Sequence, residues 1–244
     1  MEVPHHPKVE KKKFKEYFFE FLMLFLAVTL GFLAENLREH NADREREEVY
    51  IKNLYEDLKT DTALYTNYAA AGKEFGDGID SIMTLMKSPD SNAHLGKIYF
   101  YARIITVKPP VIFPNQRTFT QLKNSGQLRL ITNQKVANDI SSYYLAIDGV
   151  LAQNNFILSQ ISQYWVTVGS LFDAGILYKI RQQIEPPKGN PALLTNDLVV
   201  INKFLSGAQY LYGSRITQDI RVAGLSKNAN ALLALLKKEY HLKE

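Results

Sequence analysis

The side chains able to do chemistry are few and scattered. Five histidines are present, His5, His6, His40, His94 and His241, and none sits in an HExxH or similar ligand spacing. His5 and His6 belong to a polar N-terminal tail and the others are isolated, the pattern of surface or interfacial histidines. Asp57 and Asp61 stand four residues apart, so a helix would place both on one face, a geometry that could hold a metal ion. No histidine accompanies them, and charged helix faces are usually solvated, so they read as a solvated pair. The chain has no cysteine, which excludes disulfides, thiolate metal sites and cysteine nucleophiles. No glycine-rich phosphate loop follows a strand, and GxSxG is absent. No catalytic, cofactor-binding or metal-ligating residue is assigned, no cofactor is expected, and the chain reads as a non-enzyme.

Three features stand above this background. Glu20 is an acid at the edge of an apolar run, where intramembrane acids are functional candidates and where a side chain near the boundary can also reach headgroups. Asn154 interrupts an otherwise apolar helical row. It could specify register or partner number, or be satisfied by a local hydrogen bond or by solvent. Tyr143, Tyr144, Tyr164, Trp165 and Tyr178 crowd aromatic rings onto one segment, where they could line a ligand pocket but fit the ordinary core of a bundle better.

The elements that must position these residues begin with the apolar run. Residues 21–34, FLMLFLAVTLGFLA, carry no charge over fourteen positions. That is roughly 21 Å of helix against about 30 Å of hydrocarbon, short for a span. Tyr17, Phe18 and Phe19 upstream and Leu37 downstream lengthen it. Counted from Tyr17 to Leu37, the helix is about 31 Å long and matches a bilayer. Phe, Leu and Val at nine positions of 21–34 contribute about 3–5 kcal/mol toward insertion. A cleaved signal peptide and a buried core helix are the competing readings. Cleavage after Ala34 would leave Phe32 where a small residue is wanted, and helical character continues through ENLREHNADREREEVYIKNLYEDLKTD without Gly or Pro. The flanks favour an anchor over residues 17–37.

The net charge is only +4, and much of the excess lies in Lys8, Lys11, Lys12, Lys13 and Lys15, next to the apolar run. That placement suits a membrane surface rather than nucleic acid, which would draw basic residues over a folded face. By the positive-inside rule, residues 1–16 form a cytoplasmic tail and residues 38–244 a domain outside the cytoplasm.

Helical periodicity governs the rest. Residues 41–75 form a charged amphipathic helix with Ile51, Leu54, Leu58 and Tyr65 at helical spacing, loosened at its end by Gly72, Gly76 and Gly78. A second piece covers 79–87, and a third covers 92–107 before Pro109-Pro110. KIYFYARIITV (97–107) is the one minor candidate for a strand. Residues 115–131 predict a short helix ended by Gly126 in the left-handed position, with Asn133 capping the next helix.

That next helix, 133–183, has the strongest pattern. Val136, Ile140, Tyr143, Ile147, Val150, Asn154, Ile157, Ile161, Tyr164, Val168 and Leu171 alternate in steps of four and three, and Tyr144, Leu151, Leu158, Trp165 and Phe172 repeat every seven beside them. Together they make the wide apolar face of a bundle helix. IEPPKGNP breaks the chain, and 195–240 is helical again, with Leu198, Ile201, Leu205, Ile216 and Ile220 as its apolar positions and Gly213 and Gly224 as places to bend or split. The fold class is all-α: an N-terminal transmembrane helix continuing into an antiparallel helical bundle.

Two stretches carry a resemblance. EFLMLFLAVTLGFLAENLREH followed by EEVYIKNLYEDLKTD (20–40 and 47–61), and FTQLKNSGQLRLITNQKVANDISSYY (119–144), resemble a family of uncharacterised bacterial single-span membrane proteins with an N-terminal anchor and a helical extracytoplasmic domain. Leu122, Lys123, Ser125, Gly126, Leu128, Leu130 and Ile131 match the family's Leu-Lys-x-Ser-Gly-x-Leu-x-Leu-Ile segment. The family's tryptophan shortly after the span is missing here, where the chain reads NLREHN. The resemblance implies the architecture and no activity.

The expected role is a scaffold or interaction module held in the inner (cytoplasmic) membrane. Its partners would be the lipid bilayer and another membrane or periplasmic protein or a second copy, not nucleic acid. The alternative is a sensory domain binding a small ligand within the bundle. A polar cavity ringed by the tyrosines would favour sensing, and a filled core beside an exposed apolar stripe would favour assembly.

Overall fold

Regular backbone in this protein is helical, and among the described residues there is no strand. The computed structural model describes residues 13–242. Lys8, Lys11, Lys12, His5 and His6 lie outside that range. The helices are α1 (Phe14–Lys87), α2 (Leu95–Ile104), α3 (Arg117–Asn124), α4 (Gln134–Leu171), α5 (Ala174–Gln183) and α6 (Leu198–Glu239), with 3₁₀ turns at Ser91–His94 and Gln127–Leu130. The chain divides into two compact units, one ending at Val49 and one starting at Tyr50, and α1 contributes to both.

In the first unit, α1 carries one stretch long and apolar enough to cross a membrane, and none of that stretch is buried. It is therefore no core helix. Within residues 21–34 the one hydroxyl is satisfied internally, since Thr29 Oγ1 donates to the Phe25 carbonyl at 2.8 Å, as a helix in hydrocarbon requires. Past the stretch, polarity returns as exposed pairs one turn apart, Arg38 with Glu35 and Arg46 with Asp43.

In the second unit, α1 runs without a break to Lys87, so the separate helical pieces expected around 41–75 and 79–87 are one element. The glycines expected to loosen it instead admit close neighbours. A Cβ at Gly76 would collide with the Arg215 guanidinium of α6, and one at Gly78 would come within 2.8 Å of Ile105 Cγ2. Each glycine costs a helix about 1 kcal/mol relative to alanine, and close packing across the gap offsets that cost. The candidate strand at 97–107 is helix α2 and its closing turn.

Helix α4 starts as its sequence predicts. The Asn133 side chain accepts from Lys135 N and Val136 N, at 3.1 and 3.2 Å. Just upstream, Gly126 has φ 67°, the left-handed conformation that ends α3. All eleven positions of the four–three row are buried. In the parallel seven-residue row, Tyr144 and Phe172 are buried while Leu158 and Trp165 are exposed. The helix ends at Leu171, not near Gln183. Phe172 turns extended and buries its ring against Tyr99 and Phe204, at centroid distances of 4.8 and 5.0 Å, and Asp173 caps a new helix by accepting from Ile176 N.

Helices α4 and α6 pair in opposite directions, Asn133 with Glu239, Asn154 with Gln218 and Tyr164 with Phe204. Helix α6 is unbroken at Gly213 and Gly224, and its buried face is Phe204, Ala208, Leu211, Ser214, Gln218, Val222, Leu225, Ala229, Leu232 and Leu236. Leu198, Ile216 and Ile220, three of the apolar positions named from sequence, are on the outside. Two apolar clusters result. One joins Ile51, Leu54 and Leu58 to Val136–Val150 and Val222–Leu236. The other joins Phe75, Ile79 and Ile82 to Tyr99, Ile157–Leu171 and Phe204–Leu211. Asn154, Ser214 and Gln218, buried and polar, fall between them along α4 and α6.

Candidate functional site

Of the polar residues that the sequence offers for chemistry, Asp57, Asp61 and Asn154 converge on one irregular segment. Residues 107–116, between α2 and α3, contain Pro109, Pro110 and Pro114 and no helix, so their buried backbone groups need partners elsewhere. Asn154 supplies two of them. Its Oδ1 accepts from Ile112 N at 3.1 Å, its Nδ2 donates to Ile112 O at 2.6 Å, and Gln218 Nε2 of α6 donates to the same Oδ1 at 2.7 Å. Asn154 is thus the buried odd position on its face, held by partners in its own chain. Among the described residues, Gln218 Oε1 is buried without a partner.

Asp57 and Asp61 clamp the other end. Asp57 accepts from Asn115 Nδ2 at 2.7 Å, Thr118 N at 3.3 Å and Arg117 Nη2 at 3.1 Å. The Thr118 contact places a carboxylate at the first turn of α3, where helix N–H groups lack internal partners. Asp61 Oδ1 accepts from Asn115 N at 2.8 Å, and Oδ2 accepts from Tyr143 OH at 2.7 Å, which pairs with Tyr65 OH at 2.6 Å. Both carboxylates are buried, not the solvated pair expected from sequence. Donors from the 115–118 segment and Tyr143 occupy the positions a cation would take. Among the described residues, no group of three or more His, Cys, Asp or Glu is placed to hold a metal.

The tyrosines around this clamp are packed donors. Burial pushes the phenols of Tyr65, Tyr143 and Tyr144 well above the ordinary value, which keeps them protonated. Phe119 stacks on Tyr144 at 4.1 Å, and the Tyr144 hydroxyl is buried without a partner among the described residues. Tyr164 donates to Ala102 O at 3.2 Å. Tyr178 is exposed, and Trp165 is half-exposed beside a cleft away from the clamp. Glu20 is half-buried on α1 in the first unit.

Asp61 gives the clamp a pH dependence with a definite sign. Burial raises its pKa above the ordinary 3.8, the Asp57 charge adds to the rise, and the Asn115 and Tyr143 hydrogen bonds oppose it. Its protonated form is therefore favoured more in the folded than in the unfolded chain. That contribution to stability is fully present below the unfolded value and is lost as pH rises through the folded one. Asp61→Asn keeps an oxygen for Asn115 N and does not titrate. Wild type should lose stability relative to Asp61→Asn as pH rises from about 4 toward neutrality. Denaturant midpoints across that range measure it, and a constant difference between the two proteins would contradict it.

No protein-family model, curated protein or solved structure matches the chain.

Proposed function

We propose that the protein is a membrane-anchored helical interaction module without catalytic activity. In this reading the chain crosses the inner membrane once over residues 17–37, with residues 1–16 in the cytoplasm and 38–244 forming an antiparallel helical bundle on the periplasmic side. The lysine-rich flank supports the orientation, and the resemblance to single-span proteins of this architecture agrees with it.

The observation that carries the reading is the second apolar face of α6. Leu198, Ile216 and Ile220 lie on its outward side, exposed by 78%, 44% and 70%. Leu205 and Tyr212, half-buried, fall between them at helical spacing. A helix that only closed a core would carry polar residues there. Inside, Asp57, Asp61, Tyr65, Tyr143 and Tyr164 bond one another or other groups of the same chain. An outward apolar row of this kind is what a partner helix or a second copy would cover.

The test is purification in a gentle detergent, with co-purifying chains identified and subunit number measured by light scattering, for wild type and for Ile216→Glu/Ile220→Glu. Both residues are exposed, so the double variant should unfold within about 0.5 kcal/mol of wild type. Loss of the partner or second copy in that variant is the expected result. A wild type that is monomeric and alone, or a variant that keeps its partner, contradicts the reading. Alkaline extraction should leave the full chain with the membrane, and added protease should digest the domain in spheroplasts. Release into the supernatant, or protection until lysis, would refute the anchoring or the orientation.

A further inference from the structure

A cleft of about 320 Å³ opens between α2, α4 and the start of α5, lined by Arg103, Thr106, Trp165, Val168, Gly169 and Leu177 among others. Arg103 is half-buried there and pinned. Its Nη1 donates to Thr106 Oγ1 at 2.9 Å, and that buried hydroxyl donates to the Arg103 carbonyl at 2.8 Å. Among the described residues, no carboxylate lies within ion-pair distance of Arg103 or of Arg181 on α5. Burial, and then the positive charge of Arg181, hold the Arg103 pKa below its ordinary value. Arg103 is thus a half-buried cation, with the exposed Arg181 adding like charge, an arrangement that an arriving anion would relieve.

The rest of the lining indicates which anion. Trp165 is the only tryptophan in the chain and is 52% exposed, on the face of α4 that its sequence pattern marks as apolar. Val168 and Leu177 are apolar, and a Cβ built on Gly169 meets nothing within 4 Å, so that wall is open. An indole and aliphatic walls favour a planar apolar body. A guanidinium held by one hydrogen bond still presents N–H groups in the fork that matches a carboxylate. A free phosphate would satisfy the charge but leave the indole and aliphatic walls uncovered. The volume is at the small end for ligand sites, which begin at about 300 Å³.

We propose that this cleft binds a small aromatic carboxylate, with its carboxylate on Arg103 and its ring against Trp165. The site is separate from the outward face of α6 and does not depend on the assembly reading.

Because Trp165 is the only tryptophan, its fluorescence reports on the cleft alone. The full chain in detergent is titrated with benzoate, phenylacetate and cinnamate, and in parallel with benzamide, phenylacetamide and inorganic phosphate. A saturable change is expected with at least one carboxylate and with neither amide nor phosphate. Arg103→Lys keeps the charge without the fork and should weaken binding at least tenfold. Arg103→Ala should abolish binding while leaving the melting temperature unchanged or higher, since it removes an unneutralised cation. Arg181→Ala should weaken binding several-fold. If Arg103→Ala does not fold, Arg103→Lys decides. Equal responses to acid and amide, a response to phosphate alone, or no saturable response to any acid overturns the proposal. So does binding of a peptide with a C-terminal aromatic residue at least tenfold tighter than the free acids, which would make the cleft a peptide site.

Discussion

Asn154→Leu should destabilise the protein by about 3 kcal/mol or more without changing its subunit number. The side chain is 1% exposed and makes three hydrogen bonds, to both polar groups of the Ile112 backbone and to Gln218 Nε2. Leucine fills a similar volume, so no cavity is left. It also strands a buried N–H and a buried C=O, each worth about 1–3 kcal/mol when unpaired, and leaves Gln218 Nε2 only its 3.4 Å bond to Val150 O. Against a typical total of about 5–15 kcal/mol this is a large fraction. Every partner is in the same chain, so light scattering should return the wild-type mass. Asn154→Leu/Gln218→Leu should recover about 1 kcal/mol of the loss, because the Gln218 amide that lost its Asn154 acceptor is gone. Denaturant unfolding followed by circular dichroism measures all three proteins in detergent. A loss under about 1 kcal/mol for the single variant would mean that water replaces the amide at Ile112. A changed mass would mean that Asn154 also acts between chains.

What could be read from sequence was local. The four–three row of α4 was legible because one face of a long helix is buried along its whole length, so the period survives at all eleven positions. Gly126 and Asn133 were legible because helix ends are set by their own backbone chemistry. Most of what sequence misplaced depended on residues distant in the chain. Gly76 looks like a helix breaker until Arg215, far along the sequence, is seen filling its missing side chain. Asp57 and Asp61 have the spacing of a solvated face, and only the 115–118 segment folding back onto α1 makes them buried acceptors. Helix α6 carries two apolar faces at the same period. Composition alone cannot choose between them, and packing against α1 and α4 selects the one that includes small and polar residues, Ala208, Ser214 and Gln218. The break at Phe172–Asp173 has a local signal in Asp173 followed by Gly175, but the apolar period continues across it and masks the signal.

Asp57→Ala should cost about 2–4 kcal/mol, and the series Asp57→Ala, Asp57→Asn, Arg117→Ala should fall in that order of damage. The carboxylate is 2% exposed and is shared by two buried or half-buried donors, Thr118 N and Asn115 Nδ2, and by the Arg117 guanidinium. Alanine removes every acceptor at once, leaves the first turn of α3 without its anion, and opens a small void under residues 115–118. Asparagine keeps one oxygen but points its amide at a second donor, so about half the loss is expected. Arg117 is the weakest member. Its side chain is 80% exposed, so solvent screens the ion pair, and Arg117→Ala should cost under about 1 kcal/mol. The ordering separates two views of the site. If Asp57 were chiefly the partner of Arg117, the two alanine variants would cost alike. As the anchor that holds the 107–116 segment against α1, it should far exceed Arg117. Its loss should also speed amide exchange at Asn115 and Thr118 before the rest of the domain opens, because those two N–H groups depend on Asp57 and Asp61. Denaturant midpoints give the ordering, and hydrogen exchange read peptide by peptide gives the location.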